Sequence, residues 1–190
     1  MIMLALQNMH CLTNVFPSSF YILFKAPNAN ELNSFIDSDT KEETDYDWSR
    51  SCKVRTFGLD ARKYIPLLQP SFKIFGDHFS KPFRINIEDP WLNYYERGSF
   101  QEMHDHQTEF ACVYFINDGP DFSVFSFYDR NRVNLLPECQ YIMDYKYQDT
   151  PNISAGDIIF FPGQMLHYVS PHNSDTIRKT LSVNLKIQHV

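Results

Sequence analysis

Three histidines have the residue type and the spacing of a metal site. His104 and His106 are two positions apart, and side chains two positions apart on a strand point to the same side. His167 follows a second run of strand-forming residues at 157–161. Three converging imidazoles would occupy one face of an octahedral ion and leave positions open, as in non-heme iron sites built from two histidines and one carboxylate. The spacing therefore predicts a metal bound by His104, His106 and His167.

A His-X-His pair also arises by chance on exposed strands, so the flanking residues matter. Gly98 lies six residues before His104, and Gly156 lies eleven residues before His167. Arg178 follows His167 by another eleven residues. A turn, a strand, a histidine and then a basic strand is the layout of a metal site in a double-stranded β-helix.

Length and composition limit the classes of protein to consider. A chain of 190 residues favours a single domain, and the 16% aromatic content favours β structure. A net charge of −6 argues against general nucleic-acid binding. No apolar run approaches the roughly 18 residues of a membrane helix, and the start lacks the features of a signal peptide. The four cysteines include no Cys-X-X-Cys motif and favour reduced thiols. We expect a cytoplasmic protein with no membrane partner.

The elements that would position the histidines are mostly strands. We predict β-type runs at 15–25, 86–96, 110–116, 122–127, 141–147, 157–161 and 180–187. Helices are predicted at 28–35 and 70–79, and the acidic segment 37–47 is predicted to be an exposed loop. Many short strands at regular spacing favour a mostly β, cupin-like jelly roll with flanking helices. Its core would span about 84–187, with 1–83 as support within one domain of 1–190.

The order of motifs from residue 84 to 187 resembles a known family. The motifs are WLNYY at 91–95, Gly98, QEMHDH at 101–106, VYF at 113–115, FP at 161–162, His167, Arg178 and SVN at 182–184. This order is similar to that in the 2-oxoglutarate- and Fe(II)-dependent oxygenases of phage and marine-bacterial genomes, which are related to prolyl hydroxylases. One departure stands out, because the superfamily usually has His-X-Asp where this chain has His104 and His106.

The resemblance implies a jelly roll, Fe(II), 2-oxoglutarate as cosubstrate, O₂ and a hydroxylase-type reaction. Arg178 would bind the far carboxylate of 2-oxoglutarate, with Thr180 and Ser182 on the same strand face. Tyr114 and Asn93 would line the pocket, and no catalytic residue is expected beyond the metal ligands. The substrate, a protein side chain or a metabolite, is not identified. For Arg178 a surface salt bridge is the alternative, and for Tyr114 a place in the core.

Two other functions fit parts of the pattern. A cupin-type metal dioxygenase or small-molecule-binding protein would share the glycine and histidine spacing, although Glu109 is one residue early for the usual cupin glutamate. Such a protein would not need Arg178. A non-catalytic jelly-roll structural module would use the histidines as ordinary polar residues. Metal binding separates the last function from the other two, and succinate release separates the oxygenase from the cupin.

Overall fold

The computed structural model describes residues 19–45, 47–88, 90–130, 136–142 and 146–190. In this part of the chain, twelve strands form two antiparallel sheets. The larger sheet has the order β1-β10-β7-β12-β5-β3-β2, and β4 pairs with β12. Its strands are β1 (Ile22–Lys25), β2 (Glu42–Glu43), β3 (Val54–Gly58), β4 (Phe83–Ile87), β5 (Trp91–Tyr95), β7 (Phe110–Phe115), β10 (Asp157–Pro162) and β12 (Arg178–His189).

The smaller sheet has four short strands in the order β6-β11-β8-β9. They are β6 (Gln101–His104), β8 (Phe125–Tyr128), β9 (Gln148–Asp149) and β11 (His167–Val169). From β5 to β12 the chain passes back and forth between the two sheets, with β8 and β9 consecutive in the smaller one, which is the winding of a double-stranded β-helix. The mostly β jelly roll expected from the sequence is therefore confirmed.

Two of the described helices, at residues 29–38 and 61–76, pack on the outer face of the larger sheet. The described helices are α1 (Ala29–Ser38), α2 (Asp47–Cys52), α3 (Ala61–Gly76) and α4 (Pro137–Ile142). The side chain of Asp60 caps α3 by accepting a hydrogen bond from the Arg62 N–H at 3.0 Å. Phe75 of α3 stacks on Phe160 of β10 with ring centroids 4.6 Å apart. This contact joins the helical layer to the sheet.

The alternation of side chains along β12 separates two cores. Leu181, Val183 and Leu185 pack against the helices in the outer core. The residues that alternate with them, including Thr180 and Ser182, point toward the smaller sheet. A second core, which includes Val113 and Phe161, fills the space between the sheets. The inner face of β12 is therefore the face that can contribute to a site between the sheets.

Several predicted elements differ from the structure. A strand was expected at 141–147, but residues 141–142 belong to α4 and β9 begins only at Gln148, so the prediction is wrong for the described positions of this segment. Its positions 143–145 lie outside the described residues. The predicted strand 86–96 is two strands, β4 and β5, since Pro90 lacks the N–H that a continuous ladder needs. The predicted loop 37–47 contains the end of α1, the edge strand β2 and the start of α2.

The remaining predicted elements agree with the structure in type and differ in extent. The helix predicted at 70–79 already begins at Ala61 and ends at Gly76. It continues through Pro66 and Pro70, although a proline in a helix interior removes a backbone hydrogen bond. Of the early strand 15–25, only Ile22–Lys25 is a strand in the described residues, and its first positions lie outside them. Within the described residues, no helix has the length and apolarity needed to cross a membrane.

Candidate metal centre

The three predicted histidines lie together at one end of the space between the sheets. Their candidate ligand atoms are all within 4.8 Å of one another. His104 ends β6 and His167 begins β11, and the two residues are paired in the register of the smaller sheet. His106 follows β6, and its Nε2 lies 3.3 Å from Nε2 of His167. The i, i+2 spacing and the distant third histidine thus converge on one point, as predicted.

Backbone carbonyls orient two of the rings. Nδ1 of His104 lies 2.7 Å from the carbonyl oxygen of Glu102, and Nδ1 of His167 lies 2.9 Å from that of Met165. A carbonyl oxygen only accepts hydrogen bonds, so Nδ1 carries the proton in both rings. Nε2 is then the free, electron-donating nitrogen. This arrangement leaves two Nε2 atoms ready to bind a metal.

The surroundings keep two of the imidazoles neutral. Burial, and then the nearby His104, lowers the pKa of His106 to about 4. Burial, again followed by His104, lowers the pKa of His167 to about 3. A metal binds the neutral form of histidine. Both groups are therefore in the binding form at neutral pH.

Gly163 holds the loop of His106 against the loop that leads to His167. Its carbonyl accepts a hydrogen bond from the His106 N–H at 2.7 Å, and its N–H donates to the Glu109 carbonyl at 3.1 Å. A Cβ at this position would lie 2.3 Å from the carbonyl oxygen of Thr108. Only glycine permits this close approach, which fixes the spacing of the two histidines.

The geometry fits a metal ion with imidazole ligands. With metal–nitrogen bonds of about 2.1 Å, two ligands at a right angle are about 3 Å apart. The separation of 3.3 Å between the His106 and His167 nitrogens is close to this value. Asp105 is turned away from the cluster and pairs with Arg130. Among the described residues, the candidate ligand set therefore consists of three histidines and no carboxylate.

A small cavity of about 20 Å³ extends from the histidines into the space between the sheets. Arg178, Thr180 and Ser182 line it from the inner face of β12. The full lining is Trp91, Tyr95, Gln101, His104, His106, Val113, Phe125, His167, Val169, Arg178, Thr180 and Ser182. A volume of this size holds about one water molecule, so a larger ligand requires side chains to move.

Arg178 is a buried cation, with only 4% of its surface exposed. Its Nη1 donates to Ser123 Oγ at 3.1 Å, and its guanidinium lies 4.9 Å from the centre of the Tyr95 ring. Burial lowers the pKa of Arg178 from its ordinary value. No carboxylate in the described parts of the chain forms an ion pair with it. The alternative of a surface salt bridge is therefore wrong.

The other two predicted pocket residues have different positions. Asn93 is buried behind the cavity lining, and its Nδ2 donates to Ser182 Oγ at 3.3 Å. Tyr114 does not line the cavity, so its predicted role is wrong. It faces the helices, where its hydroxyl lies 2.7 Å from Asn33 Oδ1. Neighbouring residues of a strand face opposite sides, and Val113 takes the position toward the cavity.

The sequence analysis missed several lining residues. Trp91 and Tyr95 share the face of Asn93 by i, i+2 spacing, so strand alternation starting from Asn93 could have found them. Ser123, the hydrogen-bond partner of Arg178, lies in a loop before β8 and has no comparable signal in the sequence.

A larger cavity of about 760 Å³ lies at the same end of the jelly roll. Met165 and Leu166, which precede His167, form part of its wall, as does Phe127. The Phe127 ring centre lies 6.3 Å from that of His167. This volume is in the range of small-molecule binding sites.

Comparisons with known proteins agree with this geometry. The family model described as "Putative 2OG-Fe(II) oxygenase" matches residues 89–184, about half of the chain. The match includes all three histidines and Arg178. No curated protein sequence matches the chain.

Solved structures share the fold at low sequence identity. A 2OG-Fe(II) oxygenase family oxidoreductase from Burkholderia pseudomallei is 14% identical, with a TM-score of 0.67 over 87% of this chain and 85% of that chain. HygX from Streptomyces hygroscopicus, solved with nickel, 2-oxoglutarate and hygromycin B, is 11% identical, with a TM-score of 0.65 over 90% and 84%. The viral collagen prolyl hydroxylase of Paramecium Bursaria Chlorella virus-1, a 2-oxoglutarate complex, is 11% identical, with a TM-score of 0.56 over 93% and 100%. These likenesses support the double-stranded β-helix.

Proposed function

Because the chain belongs to the 2OG-Fe(II) oxygenase family, whose members depend on Fe(II), 2-oxoglutarate and O₂, we propose that it is a hydroxylase-type oxygenase. In this proposal His104, His106 and His167 hold the iron. Arg178 binds the far carboxylate of 2-oxoglutarate. The cupin alternative is less well supported, since it gives no role to a buried arginine.

The observation that carries the proposal is the buried charge of Arg178, which has no carboxylate partner among the described residues. Removing a charged group from water is costly unless it is paired, and the partners of this guanidinium are a hydroxyl and aromatic rings. The same cavity has the three histidines at its other end. A ligand with a carboxylate at one end and a metal-chelating group at the other satisfies both ends, and 2-oxoglutarate is such a ligand.

Each residue contributes through position and charge. Three neutral imidazoles leave the full charge of the metal in place, which favours an anionic ligand. Arg178 supplies the second positive charge and a planar pair of donors suited to a carboxylate. Thr180 and Ser182 lie on the same strand face between these ends and offer hydroxyl donors. When bound, the iron supplies the oxidation in which one oxygen atom of O₂ enters succinate, CO₂ leaves, and the other oxygen atom enters the substrate.

Calorimetric titration of 2-oxoglutarate into Ni(II)-loaded protein tests the proposal. Loss of a charge-assisted hydrogen bond costs roughly 1.5–3 kcal/mol, so Arg178→Ala is expected to weaken binding at least about tenfold. The metal content of the variant should stay normal. Arg97→Ala is the matched control, because Arg97 pairs with Asp175 at the surface. An affinity for 2-oxoglutarate equal to that of the wild type would show that Arg178 does not bind the cosubstrate. If the wild type itself does not bind 2-oxoglutarate, the cupin function is favoured.

The substrate is proposed to be a protein side chain or a metabolite. The cavity of about 760 Å³ beside His167 has room for either a small molecule or one side chain. Candidate substrates can be screened by succinate formation from 2-oxoglutarate in the Fe(II)-loaded protein. A substrate should raise succinate above the level without substrate, and the hydroxylated product should appear in equal amount.

A further inference from the structure

The indole nitrogen of Trp91 is a buried donor without an acceptor. Trp91 Nε1 has no hydrogen-bond partner among the described residues. Most buried polar side-chain atoms in folded proteins are hydrogen-bonded, and leaving one unpaired costs free energy. An indole N–H only donates. The missing partner must therefore be an acceptor, and a ligand oxygen is one candidate.

The position of Trp91 is beside the histidines. Trp91 lines the same cavity as the three histidines and Arg178, and its ring lies 6.1 Å from the ring of His106. Nearby side-chain oxygens are already engaged, since Ser182 Oγ accepts from Asn93 and Asn93 Oδ1 accepts from Thr56. The Trp91 N–H therefore lies at the end of the cavity where the three histidines are.

Strand register places Arg178 at the other end. Trp91 pairs with Ser182 and Tyr95 pairs with Arg178 along the same two strands. Four residues of a strand span about 13 Å, so a carboxylate held by Arg178 is far from the Trp91 backbone. A single cosubstrate therefore presents different oxygens to the two residues.

We infer that the Trp91 indole N–H donates a hydrogen bond to the metal-proximal carboxylate of 2-oxoglutarate. The inference rests on the proposed function. It makes Trp91 a second residue that binds the cosubstrate, at the end of the cavity opposite to Arg178. It would fix the orientation of the chelating end, while Arg178 fixes the far end.

Nuclear magnetic resonance of the indole N–H groups tests the contact without relying on a variant of Trp91. The chain has two tryptophans, Trp48 and Trp91, so Trp48→Phe leaves one indole resonance, which belongs to Trp91. In Zn(II)-loaded, ¹⁵N-labelled protein, 2-oxoglutarate should move this resonance downfield and slow its exchange with water. An unmoved resonance at saturating 2-oxoglutarate would overturn the inference.

Calorimetry gives an independent measure. Trp91→Phe keeps an aromatic ring and removes the five-membered ring that carries the N–H, so we expect 2-oxoglutarate to bind Ni(II)-loaded protein about tenfold more weakly. Trp48→Phe should bind as the wild type does, and the Ni(II) stoichiometry should be unchanged in both variants. Wild-type affinity in Trp91→Phe would overturn the inference and leave the proposed function intact. No binding by the wild type would remove both.

Discussion

The three candidate ligands are held by different parts of the backbone. His104 and His167 are each oriented by a carbonyl two residues earlier in the chain. His106 instead depends on the contact of its own N–H with Gly163. Two ligand nitrogens are therefore set by local turns, and the third is set by a contact between loops. This division predicts a rigid site in which each of the three histidines is needed for metal binding.

Replacement of His167 by alanine should abolish metal binding. The change removes one of three candidate ligands, whereas loss of an outer-shell partner alone typically costs 10–100-fold in metal affinity. Elemental analysis after loading with Ni(II) and gel filtration should show about one metal per chain in the wild type and almost none in the variant. Asp105→Ala is the matched control and should keep its metal, because Asp105 pairs with Arg130. Metal loss in Asp105→Ala with retention in His106→Ala would show that the ligand assignment is wrong.

The lowered pKa values of His106 and His167 should make the metal-free protein sensitive to acid. Their pKa values of about 4 for His106 and about 3 for His167 lie below the ordinary 6.5. The unfolded chain then binds more protons, so the free energy of unfolding falls as the pH drops below 6.5 and down to these values. The maximum slope is about 1.4 kcal/mol per pH unit for each group.

Urea denaturation in EDTA at several pH values between 7.5 and 4.5 measures this slope. The double variant His106→Asn/His167→Asn serves as the reference, since all other titrating groups are the same in the variant and the wild type. The wild type should lose stability more steeply than the variant below pH 6.5. Equal slopes would mean that the imidazoles are protonated as easily in the folded protein as in the unfolded chain.

At the scale of elements, β7 explains why Tyr114 was assigned to the wrong side. Five of the six residues of β7 are buried, so the strand shows no alternation of apolar and polar residues that would identify the cavity face. β12 is different, because Thr180 and Ser182 alternate with Leu181 and Val183, which face the helices. The polar face of β12 was therefore predictable from the sequence, and that of β7 was not.

Tyr114→Phe tests the corrected position. The variant loses the hydrogen bond between the tyrosine hydroxyl and Asn33 of α1, which should lower the free energy of unfolding by about 1–2 kcal/mol. The affinity for 2-oxoglutarate should stay within about twofold, because Tyr114 faces away from the cavity. Chemical denaturation and calorimetry of the Ni(II)-loaded protein give the two values. A large loss of affinity with unchanged stability would return Tyr114 to the pocket.

Other elements show where sequence patterns stop being informative. The histidine spacing and the strands β10 and β12 were predictable because glycine, proline and buried apolar runs mark them. The segment 141–147 has strand-forming residues, but Pro137 and Glu138 begin α4 there, and Tyr141 is 87% exposed. In the described part of this segment, Tyr141 and Ile142 are exposed on α4 instead of packing on a sheet, so tertiary context rather than propensity decides their structure.

At the scale of the whole molecule, the two parts of the sequence share one core. The outer cluster combines Leu32, Tyr64 and Phe75 from the first 83 residues with residues of β7, β10 and β12. Neither set can bury its apolar surface without the other. The single domain of 1–190 stays a prediction, and this shared core is the reason to expect cooperative unfolding.

Phe75→Ala tests whether the helical layer and the jelly roll unfold together. Phe75 is fully buried and contacts Phe160 and Phe110 across the layer boundary. The change should cost about 3–5 kcal/mol, which corresponds to a loss of about 6–20 °C in Tm for a chain of this size. We expect near-ultraviolet circular dichroism and Ni(II) release to follow the same single transition, because the sheet that carries the candidate site loses its outer support. Ile65→Ala is the control, since Ile65 is an exposed residue of the same helix, and its Tm should change by only a few degrees at most. A first transition that melts α1 and α3 while Ni(II) stays bound would show that residues 1–83 form a separate folding unit.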